Sequence, residues 1–141
     1  MKKIEVKIGR SGDNYSCIAD DAVLNGIVVA TCKTLDGLKK QFQESLQFHI
    51  EGCLQDGNKF PDWLVNSQYD LVYTLEISAL LRSFDGVVTR SAIARASGIK
   101  EKQIRDYASG YRVPRKQQKE KIIGAFHSIG KRMTSVELIT Y

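Results

Sequence analysis

Apolar and charged residues alternate along Ile4-Glu5-Val6-Lys7-Ile8, the period of a strand with one buried face. The cluster Ser11-Gly12-Asp13-Asn14 is turn chemistry, so the chain is expected to reverse into a second strand, Tyr15–Ala19, with Tyr15, Cys17 and Ala19 on one face. Asp20 to Gly26 reads as a connection, and the β-branched run Ile27–Cys32 as a third strand. The period then changes. Thr34 suits an N-cap, and Leu35, Leu38, Phe42, Leu46, His49 or Ile50, and Cys53 recur at steps of three and four. That stripe describes an amphipathic helix of about five turns, with Lys39, Lys40, Gln43, Glu44 and Gln47 mostly outward. Gly52 weakens its last turn. A polar loop (Gln55 to Asn58), a short apolar insert (Phe60 to Leu64) and a fourth alternating strand (Tyr69–Leu75) follow.

The remainder is helical in pattern. Ile77 to Phe84 is a short apolar helix ended by Asp85-Gly86, and three further helical patterns lie at Arg90–Ser97, Lys100–Ser109 and Arg115–Ser128. Gly130 reads as a helix stop, and Ser135 to Ile139 alternates as a terminal strand would. The expected fold is α+β: a small β-β-β-α-β layer over residues 1–76, its helix covering one face of the sheet, then an all-α domain over residues 77–141. A sheet that small leaves its other face and its edges available to a partner.

Charge divides at nearly the same place. Residues 1–84 hold 9 Lys+Arg against 11 Asp+Glu, a balance of −2, whereas residues 85–141 hold 12 against 5, a balance of +7. A basic half beside a slightly acidic one suggests a polyanion binder joined to something else. Cys17, Cys32 and Cys53 are odd in number and form no C-x-x-C pair, which fits buried thiols in a reducing cytoplasm better than a disulfide frame or a zinc site. No apolar run approaches a membrane span, and Met1-Lys2-Lys3-Ile4-Glu5 lacks the apolar core of a signal peptide. No catalytic set, metal site or cofactor is expected. Asp20, Asp21, Glu5, Asp13 and Asp36 could be imagined as a carboxylate cluster, but neighbours on a strand face opposite ways. His49 and His127 lack partners at ligand spacing, and Tyr15, Trp63, Tyr69 and Tyr73 read as core or interface aromatics.

The stretch Thr89 to Gly110 carries the chemistry. Two helices that cross sharply need a small side chain at their contact, which Ala94 supplies. Four residues on, Gly98 can take the positive φ of a tight corner. Ile99 and Ile104 are expected to plug the wedge with Ile93 and Tyr107, leaving Lys100, Glu101, Lys102, Gln103, Arg105, Asp106 and Ser109 outward. Gly110, Arg112 and Pro114 then make a turn, and Pro114 suits the start of the next helix.

This stretch resembles the Cro-type phage-repressor helix-turn-helix family; Ser97 stands where that family usually has an apolar residue. The resemblance implies that the helix beginning near Lys100 lies in the major groove, with Lys100, Glu101, Lys102, Gln103 and Asp106 reading bases. It also implies that Thr89 and Arg90, at the preceding helix N-terminus, face a phosphate, and that Arg105, Ser109, Tyr111, Arg112, Arg115 and Lys116 hold the DNA backbone.

The first half resembles the HicB family of antitoxins, on the opening strand Ile4–Ile8, the turn Ser11 to Asn14, the strand Tyr15–Ala19, and Thr34-Leu35-Asp36-Gly37-Leu38 opening the helix. That resemblance implies a truncated ribonuclease-H-like layer. It would bind and neutralise a small basic, mRNA-cleaving toxin of the HicA type, while the second half represses the shared operon through operator DNA. The competing reading is a stand-alone regulator whose first half dimerises or senses a small molecule; a third makes that half a general protein-interaction module. A homodimer or higher even oligomer is expected for any such DNA binder. Its candidate surfaces are Val136 to Ile139 and an outer face of the last helix (Ile122, Phe126, Ile129), with completion of the domain's own core as the alternative.

Overall fold

A computed structural model describes residues 1–140. The chain divides into two compact units, Met1–Ala79 and Leu80 onward. The architecture is α+β: a four-stranded mixed sheet with a long helix, then a helical region.

In the first unit, β1 (Lys2–Ser11) and β2 (Asn14–Ala19) form an antiparallel hairpin in which Ser11 pairs with Asn14. Gly12 in its two-residue loop takes φ +59°, so the turn cluster does what its composition predicts. β3 (Val28–Cys32) adds antiparallel to β2, and β4 (Tyr69–Leu75) adds parallel to the opposite edge of β1. The sheet order is therefore β3-β2-β1-β4, and the long helix between β3 and β4 spans the sheet to join its two edges.

That helix, α1 (Leu35–Gln55), starts where the Thr34 hydroxyl accepts from the Gly37 N–H at 3.1 Å, satisfying one of the donors a helix N-terminus leaves free. Its stripe Leu38, Phe42, Leu46 and Ile50 is buried against Ile4, Val6 and Ile8 of β1, Tyr15, Cys17 and Ala19 of β2, and Val28 and Ala30 of β3. His49 is half-buried beside this stripe, and its Nε2 donates to the Leu24 carbonyl at 2.7 Å, tying the β2–β3 connection to α1. A short helix, α2 (Asp62–Val65), buries Leu64, and Trp63 meets Tyr69 edge-on with centroids 6.4 Å apart. Burial raises the pKa of the Cys17 thiol, partly opposed by a backbone hydrogen bond from Ala30.

The face of the sheet opposite α1 is open. Ile18 and Val29, directly paired across β2 and β3, are 37% and 58% exposed on it. No helix among the described residues is long and apolar enough to cross a membrane.

The helical region comprises α3 (Ile77–Ser83), α4 (Arg90–Ser97), α5 (Glu101–Ser109) and α6 (Lys116–Thr134). Two expectations at the far end are corrected. Gly130 does not stop the last helix, which runs on to Thr134; there the hydroxyls of Thr134 and Ser135 donate to the carbonyls of Lys131 and Arg132 at 2.9 and 2.8 Å. Those bonds satisfy carbonyls that a glycine corner would otherwise serve. Ser135 to Thr140 then forms no strand.

Candidate nucleic-acid interface

Three apolar residues hold the α4–α5 pair together from the inside. Ile93 on α4, Ile99 in the corner and Ile104 on α5 are 1%, 4% and 0% exposed, and α4 packs on both α5 and α6. Tyr107 and Ala108 of α5, Leu81 of α3, and Ile122 and Ala125 of α6 are also buried, and Phe84 stacks at a tilt on Phe126 with centroids 4.9 Å apart. Ile122 and Phe126 thus belong to this core and not to an outer dimerising face. The expected wedge residues Ile93, Ile99, Ile104 and Tyr107 are all buried, whereas Ala94 is only half-buried.

The corner itself is built on backbone conformation. Gly98 caps α4 at φ +75° and donates to the Ala94 carbonyl at 2.9 Å. Ser97 supports the same corner, because its hydroxyl accepts from the Ile99 N–H at 3.2 Å and lies 3.3 Å from the Ala94 carbonyl. Ser109 and Gly110 repeat the device at the end of α5. There Gly110 has φ +81°, and the Ser109 hydroxyl accepts from the Tyr111 N–H at 3.3 Å. A hydroxyl one residue before the positive-φ glycine substitutes for water at a turn that would otherwise leave an N–H unmet.

With Ile104, Tyr107 and Ala108 turned inward, α5 presents Glu101, Lys102, Arg105 and Ser109 to solvent, one face at helical spacing. Lys100 is the N-cap and exposed, while Gln103 and Asp106 are half-buried at the margin of this face. Lys100, Lys102, Arg105, Arg115 and Lys116 form no ion pair among the described residues. Among the described residues no side chain caps the first turn of α5 or of α6, so the N–H groups of Glu101 and Lys102, and of Lys116 and Gln117, stay open. Free N–H groups beside unpaired cations are the chemistry that receives a phosphate oxygen.

Two candidate contacts are occupied within the chain. Arg90 reaches back to the Asp85 carboxylate at 3.1 and 3.4 Å, and its Nε is buried without a partner among the described residues. Arg112 lies 3.6 Å from Asp106, which joins a candidate backbone contact to a candidate base reader. Each pair spans five or six residues with no periodic signal, and sequence reasoning misses both. The Thr89 hydroxyl accepts from the Ala92 N–H at 3.0 Å, which leaves its own proton free to donate outward. Pro114 sits buried one residue before the N-cap Arg115, just ahead of the first turn of α6 and not within it. Tyr111 and Val113 project from that loop at 77% and 81% exposure. Lys119, one turn beyond Arg115 and Lys116, is exposed on α6 and extends the same basic row.

Comparison with models of protein families, with curated proteins and with solved structures finds no match for this chain.

Proposed function

We propose that this chain is an operator-binding antitoxin of the cytoplasm. Its α4–α5 pair lays α5 in the major groove of operator DNA. Its first unit binds and neutralises a small basic, mRNA-cleaving toxin of the HicA type, and the protein represses the operon that encodes both. The observation that carries the DNA half is the two-sidedness of α5: Ile104 and Tyr107 are buried while Lys102 and Arg105 stand exposed, with no ion pair among the described residues. A helix anchored by one face and polar, long-armed and cationic on the other suits a groove lined with phosphates and base edges.

Support for the toxin half is the open sheet face together with charge. Residues 1–79 hold 8 Lys+Arg against 11 Asp+Glu, a balance of −3, and residues 80–141 hold 13 against 5, a balance of +8. Opposite signs steer a basic protein to one unit and DNA to the other. The test is co-expression with the product of the adjoining reading frame: growth rescued by this chain, with a stable complex recovered, supports the reading. No rescue and no complex would leave the antitoxin assignment without basis.

One observation favours the stand-alone regulator as a second reading. A hollow of about 460 Å³ opens on the open sheet face between Lys7, Arg10, Ser16, Ile18, Thr31 and Glu76. A metabolite that shifts both the melting temperature and operator affinity would favour ligand sensing over toxin capture.

A further inference from the structure

We infer that the groove between α4 and the last turns of α6 receives, from a second copy of this chain, the segment that follows α6, residues 135–140. The groove is open, about 740 Å³ in volume, and most of its lining is apolar: Val87 and Val88 ahead of α4, Ala92 and Ala96 on α4, Ile129 and Met133 on α6. The two alanines keep the channel open, because a methyl group is all that each projects into it. Arg95 and Arg132 edge the groove, one from each helix, and neither forms an ion pair among the described residues.

The segment after α6 carries what this groove lacks. Val136, Leu138 and Ile139 are 64%, 84% and 79% exposed, and Glu137 between them also forms no ion pair among the described residues. Large apolar side chains match the apolar lining, and one carboxylate matches the two guanidinium groups; Arg with a carboxylate is a strong, directional pair. The chain does not fill its own groove. Val136 already lines one end, its N–H 3.3 Å from the Met133 carbonyl, and the segment leaves the groove there with Leu138 and Ile139 in solvent.

A twofold axis resolves the mismatch, since each copy then supplies the segment and the groove to the other in one self-complementary patch. Symmetry makes every contact twice, which doubles what one short segment in one groove contributes to the association. The association itself does not depend on the DNA reading. Its use does: a fixed pair of α5 helices sets the spacing of two operator half-sites.

Sedimentation velocity on the full chain across micromolar concentrations tests this. A dimer is expected, and Leu138→Asp with Ile139→Asp, or Ala96→Lys alone, should yield a monomer of unchanged helical circular dichroism. Glu137→Arg should weaken the dimer, and adding Arg95→Glu with Arg132→Glu should restore it. Mixing an Ala96→Cys chain with a Leu138→Cys chain under mild oxidation should give a covalent heterodimer that wild-type chains do not form. A wild-type chain that stays monomeric overturns the inference, as does a dimer indifferent to either the segment or the groove variants. Binding of the monomeric variants to a duplex with one half-site is read separately. Its loss would count against the DNA reading and leave the oligomer result standing.

Discussion

Adding one methyl group at Gly98 and one at Gly124 should move stability in opposite directions. Gly98 holds φ +75° and ψ 9° at the end of α4, and an added Cβ there would meet nothing within 4 Å. The penalty is therefore purely conformational: an L-residue in the left-handed region costs roughly 1–2 kcal/mol. Gly124 lies inside α6, and its added Cβ would also meet nothing within 4 Å. In a helix interior, alanine in place of glycine restricts the unfolded chain and stabilises by roughly 0.5–1 kcal/mol. The two single variants should differ by about 1.5–3 kcal/mol although each adds the same atoms to open space. Urea titration of the full chain, followed by helical circular dichroism, reads this as midpoints displaced to either side of wild type at constant slope. A Gly98→Ala chain as stable as wild type would refute the corner geometry, and a Gly124→Ala chain destabilised as much as Gly98→Ala would refute the conformational origin of the difference.

Three further outcomes follow from particular contacts. Ser97→Ala removes the hydroxyl that accepts from the Ile99 N–H and should lower stability by about 1 kcal/mol, whereas an unchanged urea midpoint would mean that the bond contributes nothing. Lys102→Ala with Gln103→Ala should flatten discrimination among operator variants by ~1–3 kcal/mol per lost base contact; a binding profile identical to wild type across those variants speaks against base reading by these two residues. Cys17 is buried with its pKa raised by desolvation, so it holds little thiolate and should react with iodoacetamide far more slowly in the native protein than in urea, as mass spectrometry of the digested chain can record.

Local signals were the legible ones. The hairpin at Gly12, the N-cap at Thr34, the stripe Leu38 to Ile50 and the corner at Gly98 each depend on residues within a turn or two of one another, and each is found where its pattern lies. The parallel pairing of β1 with β4 joins Ile4 to Leu71, a register that no local pattern encodes because it depends on where α1 delivers the chain. Gly130 misled because a glycine ends a helix only when the chain needs a left-handed residue there, and two hydroxyls made that unnecessary. The alternation at Val136 to Ile139 predicted a strand, but a strand needs a paired neighbour, and among the described residues none lies beside it.

In the candidate interface, the pattern of buried and exposed residues on α5 was readable because helical periodicity sorts Ile104 and Tyr107 from Lys102 and Arg105. Half-burial of Gln103 and Asp106 was not, since it depends on how far the packed neighbours reach around the helix. The pairs Arg90–Asp85 and Arg112–Asp106 arise from turns that fold back on helix ends. They narrow the candidate backbone cations without an ion pair among the described residues to Arg105, Arg115 and Lys116, with Lys119 added.

The salt dependence of binding to a labelled duplex, followed by fluorescence anisotropy, tests the central claim most directly. If the exposed faces of α5 and the start of α6 lie on DNA, the logarithm of affinity should fall linearly with the logarithm of salt, at about 0.9 per phosphate engaged. Arg115→Ala with Lys116→Ala should then reduce that slope by about 2 while leaving sequence preference intact. Absence of binding at low salt, or a slope that these two substitutions leave unchanged, would contradict the account.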